Sequence, residues 1–318
     1  MSLLNRYTRP GKGIKKEDKP RSFGFRRFFS QARDKFWKLV ILNLLFFLVN
    51  LPVFGIFAYL AGVGGVPYHT PAGVLFQPLW GVMRHGQSPA LQALQGVVGV
   101  QVVHRYPTWI TYSLLGAGML TLLTFGVATA AMTRIQRDFV RGDPVSVGED
   151  FFDAIKTNFK QAMVLGLVDI GFTFVFLFDL VNYLYANQSF GFLVLLYATF
   201  FIFLLYLFMR PYLYLQCVTF EVKIPKMIKN AWILAVAGIR RNLLCFFFSA
   251  LLIVVNILLF SFVPSMGVGM LFIFTVSFAW FFQIYGAWPV LKKHMIDPFY
   301  EETSTPPTHD APIFEDRG

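Results

Sequence analysis

"SVGEDFFDAIKTNFKQAM", residues 146–163, is the most charge-dense stretch between two long hydrophobic runs. Phe151, Ile155, Phe159 and Ala162 recur at steps of four, four and three and so share one face of a helix, opposite Glu149, Asp153, Lys156 and Lys160. Ser146, three places before Glu149, has the form of a capping box, in which hydroxyl and carboxylate each satisfy a backbone donor at the helix start. The spacing predicts an amphipathic helix. What that helix lies against depends on the solvent around the flanking runs.

Composition identifies that solvent. A chain of 318 residues that is 56% hydrophobic and 14% charged, with 38 phenylalanines, lacks the polar surface to coat a soluble globule. Six runs reach the roughly 20 apolar residues that cross about 30 Å of hydrocarbon as helices: 39–60, 109–132, 162–185, 190–209, 243–263 and 266–288. A membrane barrel would instead show short alternating segments. The expected fold is all-α: a polytopic membrane protein of six transmembrane helices (39–288), a basic N-terminal segment (1–38), an outer insertion (62–108) and a disordered acidic tail (289–318).

Lysine and arginine orient the spans, because positive loops resist translocation. With six spans, 26 of the 28 fall in the N-terminus, 133–161, 210–242 and the tail, leaving Arg84 and Arg105 on the other side. Both termini are therefore expected in the cytoplasm. The net charge of +11 follows from this asymmetry and from attraction to anionic headgroups of the lipid bilayer. No nucleic-acid partner is expected, since no groove-reading or stacking motif accompanies the charge. No cleavable signal is expected either, because more than thirty polar and basic residues precede an apolar run too long for a signal core. Cys217 and Cys245, near cytoplasmic helix ends, read as apolar packing residues. The glycosylation pattern at Asn187-Gln188-Ser189 sits in a turn too short for a transferase.

The amphipathic helix at 146–163 runs directly into the third span, so its phenylalanine face is expected to rest in the headgroup boundary, or else against other cytoplasmic helices. Two segments repeat the arrangement. Before the first span, Phe25, Phe28, Phe29, Ala32 and Phe36 oppose Arg26, Arg27, Arg33 and Asp34. Before the fifth, Ile228, Trp232, Ala235 and Ile239 oppose Lys226, Lys229 and Arg240. Aligning Phe36, Phe159 and Leu243 also aligns Arg33, Lys156 and Arg240. Each unit would be an interfacial helix followed by a two-helix hairpin. Either a parallel internal repeat or the common need for basic lead-ins would produce this similarity.

The start "LLNRYTRPGKGI", the lead-in "FFSQARDKFWKLVILNLLFFLVNLPVFG" and above all "FGVATAAMTRIQRDFVRGDPVSVGEDFFDAIKTNFKQA" resemble the YesL-like family of bacterial integral membrane proteins of uncharacterised function. The resemblance covers the first span and about 112–259. It implies the inner membrane of a Gram-positive-type bacterium and an association with carbohydrate-utilisation loci, often beside sugar ABC-importer genes. It supplies no active-site residues. The chain departs from the family pattern at 62–108, where relatives have a short connection; Ser88-Pro89 there predicts a helix start.

Polar residues inside the spans are the candidates for function, because ionisable groups in hydrocarbon are costly. Asp169 lies about two turns inside the third span. It reads either as a proton- or cation-linked site or as a structural group, hydrogen-bonded between helices or paired with a base reaching in from the cytoplasmic side. Asn43, Asn50 and Asn256 suit helix-to-helix hydrogen bonding, and Asn50-Leu51-Pro52 predicts a bend in the first span. Asp169, Asn50 and Asn256 together form the candidate intramembrane polar site. Arg33, Asp153, Lys156, Lys160, Lys229 and Arg240 form the candidate cytoplasmic docking surface. Arg84, His69, His85 and His104 match no metal-ligand spacing, and no phosphate loop, zinc helix or nucleophile elbow is present. No enzyme activity, cofactor or metal is expected. Two roles remain: an accessory or assembly partner of a carbohydrate importer, with sugar ABC permease subunits as partners, or a small-solute or sugar transporter in its own right, for which the spans offer few polar groups. Reporter fusions at the C-terminus should read out as cytoplasmic; an exported tag contradicts the orientation.

Overall fold

The computed structural model describes residues 24–71, 101–185 and 189–298. Helix α1 (Phe25–Asp34) leads into a pair, α2 (Phe36–Val49) and α3 (Val53–Leu60), bent by 64°. The bend falls at Asn50-Leu51-Pro52, as expected where proline removes a backbone donor and crowds the preceding turn. A two-stranded ribbon, β1 (Val66–Pro71) and β2 (Gln101–Tyr106), precedes α4 (Trp109–Met119) and α5 (Thr121–Arg141). There follow α6 (Val147–Tyr185), α7 (Phe190–Thr219), α8 (Ile224–Ala237), α9 (Ile239–Phe262), α10 (Pro264–Met270) and α11 (Val276–Leu291). Wider π turns occupy Leu271–Thr275 and Lys292–Ile296.

Among the described residues five helical stretches are long and apolar enough to span, or six if the bent pair counts as one span. The all-helical polytopic class holds, but the helices outrun the bilayer. At 1.5 Å per residue the 39 residues of α6 extend about 58 Å, against roughly 30 Å of hydrocarbon. The segment 133–161 is consequently the continuation of α5, a turn at 142–146, and the first turns of α6. Gly142 supplies the left-handed residue (φ 90°) that ends α5. Asp150, and not Glu149, accepts the Ser146 backbone N–H at 2.8 Å, so the capping carboxylate lies one residue later than the spacing predicts. The last span likewise continues: residues 289–298, assigned by sequence to the tail, remain helical. The rest of the tail and the basic N-terminus up to residue 23 lie outside the described residues.

Burial is concentrated at the end of the bundle that carries the lysines and arginines. There α11 is a central post, with Phe281, Ile284, Ala287 and Leu291 fully buried, surrounded by α1, α2, α5, α7, α8 and α9. Toward the opposite end α6 and α7 stay in contact through Phe176 and Phe203 and through Tyr183 and Phe192, but little of their surface is covered by the rest of the chain. Only 17% of the most apolar window of α6, α7 and α9 is covered by the rest of the chain, leaving phenylalanines such as Phe174, Phe178, Phe200 and Phe201 exposed.

The lead-in helices bury part of the expected apolar faces within the protein and leave the rest exposed. In α6, Phe151 and Ala162 of the predicted headgroup face are buried in the protein core, Ile155 is half-buried, and Phe159 is exposed. In α1, Phe28 stacks on Phe282 at 4.0 Å while Phe29 and Phe36 stay exposed. In α8 the buried face is Met227, Ala231, Leu234 and Ala235, whereas Trp232 and Ile239 face outward. For Phe28 and Phe151 the alternative expectation, packing against other helices, holds, and in α8 the buried face is rotated by about one residue toward Met227 and Ala231.

Two hydrogen bonds bear on the internal repeat. Lys38 Nζ, in the first unit, donates to the carbonyl of Val145 (2.9 Å), two residues before α6 begins. Gln161, in the second, donates to the carbonyl of Val222, two residues before α8 begins. Lys38 and Gln161 coincide when Phe36 and Phe159 are aligned. Each unit thus secures the entry of the next in the same way, which a shared need for basic lead-ins does not require.

The outer insertion contains a strand ribbon where the sequence predicts only a helix. Val66 pairs with Tyr106 and His69 with Val103 in antiparallel register, and the Tyr68, His104 and Tyr106 rings stack. The base is closed by Arg105 to the Gly62 carbonyl (3.0 Å) and Thr108 to the Gly64 carbonyl (2.7 Å), with both glycines at positive φ (69° and 77°). The helix predicted at Ser88-Pro89, together with Arg84 and His85, lies outside the described residues, as do Asn187 and Gln188 of the glycosylation pattern.

Helices α5 and α6 approach most closely at Gly126 and Gly166, where a Cβ on either would overlap the other's backbone. Replacing Gly126 or Gly166 with leucine should therefore cost about 1–3 kcal/mol. Lowered thermal stability of the detergent-solubilised protein would register this. Gly171→Ala, into open space, is the control expected to change little.

Candidate functional site

Asp169 sits on the face of α6 turned toward α7 and is 2% exposed. The facing side of α7 carries Tyr206, Arg210 and Tyr214 at steps of four, which places all three on one stripe. Arg210 Nη2 donates to Asp169 Oδ2 at 2.8 Å, Tyr214 donates to the same oxygen at 2.9 Å, and Tyr206 donates to Oδ1. Both carboxylate oxygens are therefore engaged. Burying a charge away from water is tolerable only with this pairing.

The cluster is joined to the central post. The Arg210 guanidinium lies over the Trp280 ring at 5.7 Å, and Trp280 packs edge-on to Tyr214. Trp280 Nε1 donates to Thr133 Oγ1 at 2.8 Å, and that hydroxyl donates onward to the Thr129 carbonyl. One buried network thus ties α6 and α7 to α11 and α5. Of the two readings of Asp169, the geometry matches the structural one, including the base that reaches in from the basic end. Arg210 is that base. The four-residue period of Tyr206, Arg210 and Tyr214 is visible in the sequence, but placing Arg210 at the start of a loop hides it.

The other two residues of the candidate polar site are satisfied elsewhere. Asn50 donates to the Phe46 carbonyl (3.0 Å) and accepts from Thr124 (3.1 Å), holding the bent pair to α5. Asn256 donates to the Gly267 carbonyl (3.0 Å) and closes the turn between α9 and α10. Neither is hydrogen-bonded to Asp169. Asn43, fully buried, does more: its amide donates to the carbonyls of Leu271 (3.0 Å) and Phe272 (2.6 Å) and accepts the Ser277 N–H (2.8 Å). A π turn leaves backbone groups without their usual partners four residues away, and Asn43 supplies them. Gln136, likewise fully buried, donates to the Ser277 carbonyl and hydroxyl. Arg137 donates to the Val218 carbonyl (2.7 Å) and to Thr219 at the end of α7, where a cation complements the helix dipole.

All six residues of the candidate docking surface are exposed at the basic end. Asp153 is paired with Arg134 at 3.1 Å and Arg33 with the adjacent Asp34 at 3.6 Å. Cys217 and Cys245 are free thiols buried among apolar side chains. Among the described residues no three His, Cys, Asp or Glu side chains converge as a metal site would need. A cleft of about 170 Å³ opens beside Asp169 between α6, α7 and α8, and its walls are apolar.

Residues 107–180 match the model of a family described as "Protein of unknown function, DUF624". The match takes in α4, α5 and most of α6, including Asp169, and stops before its partners on α7. No curated protein and no solved structure matches the chain.

Breaking the pair from one side leaves an uncompensated buried charge. Asp169→Leu or Arg210→Met alone should lower stability by about 3–5 kcal/mol, while the double variant should recover most of the loss. Thermal unfolding of the four proteins in one detergent, treated as a double-mutant cycle, gives the coupling. Additive losses would contradict the pairing.

Proposed function

We propose that this integral membrane protein is a non-catalytic accessory or assembly partner of a carbohydrate import system, seated in a bacterial cell membrane with both termini in the cytoplasm and docking on sugar ABC permease subunits. The supporting observation is the unequal burial of its spans. The basic end is a tightly packed head with charged residues on its outside, whereas α6, α7 and α9 leave most of their apolar surface uncovered toward the other end. A head of this kind offers Arg33, Asp153, Lys156, Lys160, Lys229 and Arg240 to a cytoplasmic partner, and the uncovered helix faces can take neighbouring spans in lipid. Internal neutralisation of Asp169 supports the same reading, since a carboxylate held by Arg210, Tyr206 and Tyr214 has little capacity left for a travelling cation or sugar. The YesL-like resemblance, with its importer-linked gene neighbourhoods, gives the partner class; the matched DUF624 segment is compatible with it and names no role.

Transport of a sugar or small solute by the chain itself is the alternative, and the 64° break in the first span is the feature that favours it, because a broken span can line a pathway. Affinity purification of the tagged protein in mild detergent, from cells growing on an imported sugar, separates the two. Permease subunits recovered in fixed proportion are the expected result. A lone protein stabilised thermally by the sugar favours transport.

A further inference from the structure

We propose that α3, the strand ribbon and α4 form one outer unit that pivots on the rest of the protein about two helix breaks lying side by side near the middle of the bilayer, moving between a latched position and a released one. The unit holds itself together. No residue of α3 is buried, and α4 buries only Thr111 and Gly118. Both are covered from within the unit: the Thr111 hydroxyl donates to the Val63 carbonyl (3.3 Å), and Gly118 lies so close to Gly55 and Ile56 that a Cβ on either glycine would overlap the facing helix. The ribbon joins the far ends of the two helices, with Arg105 and Thr108 closing its base on the carbonyls of Gly62 and Gly64. Packing therefore couples α3 to α4, whereas the helices they continue, α2 and α5, are packed into the basic-end core.

Each helix of the unit meets the core at an interruption. At Asn50-Leu51-Pro52 the chain turns by 64°, and the N–H groups of Val53 and Phe54 donate to carbonyls three residues back (3.0 and 3.1 Å). Between α4 and α5, those of Leu120 and Leu123 do the same (3.1 and 3.0 Å). A short stretch of this tighter spacing inside a helix often marks a hinge. The two breaks share one depth. The exposed Trp37 precedes Asn50 by about 20 Å and the exposed Trp109 precedes Leu120 by about 17 Å, at 1.5 Å per residue, and exposed tryptophans mark the two lipid–water boundaries. Thr124 donates to Asn50 at 3.1 Å from the core side of both breaks, so this bond pins the pivots together without restraining the unit.

A ring stack is the latch. Phe54 lies on Phe272 of the π turn, with centroids 5.8 Å apart and planes 16° from parallel, and Phe272 also meets Phe47 on the core side of the bend. One aromatic pair is a weak restraint beside the buried contacts of the core. The latched position also leaves a polar demand unmet. Thr121 Oγ1, next to the second break, is buried without a hydrogen-bond partner among the described residues, and a rotation of α4 can relieve that cost. The pivot does not depend on whether the protein assists an importer or carries a solute itself.

The test uses the full-length protein in phospholipid nanodiscs, with Cys217→Ala and Cys245→Ala as background and spin labels on pairs of introduced cysteines, their separations measured by pulsed electron–electron resonance. Tyr112→Cys with Phe178→Cys reports the unit against the core, Val103→Cys with Met119→Cys reports the unit alone, and Phe178→Cys with Ile257→Cys reports the core alone; all five positions are exposed. The first pair should give a major and a minor distance, and Phe54→Ala should raise the ratio of minor to major about threefold. The other two pairs should each keep one distance in both proteins. A single distance for the first pair in both proteins overturns the proposal, as does a minor component that Phe54→Ala leaves unchanged or that either control pair shares. Should Phe54→Ala fail to fold, Phe54→Leu, which keeps the bulk and removes the ring, takes its place with the same expected and overturning results.

Discussion

Hydrocarbon offers no hydrogen bonds, so every polar group carried into the spans has to find its partner within the protein. Asp169 carries the largest such demand. Its carboxylate would be prohibitively costly alone, and the stripe of Tyr206, Arg210 and Tyr214 on α7 answers it with one opposite charge and two hydroxyls. Arg210 itself is held over Trp280, and through Trp280 the pair is fastened to α11 and α5. The same constraint explains the asparagines. Where proline interrupts the first span, Asn50 and Thr124 are joined by a hydrogen bond across to α5; where the last span widens into a π turn, Asn43 takes up the freed backbone groups.

The helices pack most tightly toward the basic end. Helices of 30 and 39 residues are longer than a bilayer is thick, and their excess length builds a head beyond it. Toward the opposite ends the phenylalanines of α6 and α7 stay exposed, and a short strand ribbon lies between α3 and α4 in the chain.

Much of the candidate site was legible before the tertiary structure. Asp169 stands out because an acid amid Leu165, Val168 and Ile170 requires a reason, and a base reaching in from the basic side was one of the readings this left open. Its tyrosine partners did not emerge, although their four-residue period was there to be read, because apolar helices rich in tyrosine and phenylalanine contain many such periods. The partners of Asn43 and Asn256 could not be read at all: they are backbone carbonyls, and a carbonyl has no side-chain signature. The buried face of α8 was misjudged for a related reason. Where Ile228, Trp232 and Met227 are all apolar, hydrophobic period alone cannot say which is turned inward, and a rotation of one residue exchanges core for surface.

The sequence by itself determined the solvent, the helical class, the approximate spans, the bend at Pro52 and the side on which positive charge gathers, because each of these follows from local composition and covalent geometry. The tertiary structure alone decided how far the helices continue past the bilayer, which face of each lead-in is buried, where the π turns fall, and that Asp169, Asn50 and Asn256 serve three separate junctions instead of one polar site. Those outcomes depend on which distant residues come within a few ångströms of one another, and contact between segments hundreds of residues apart is set by packing of the whole chain, which no local pattern encodes.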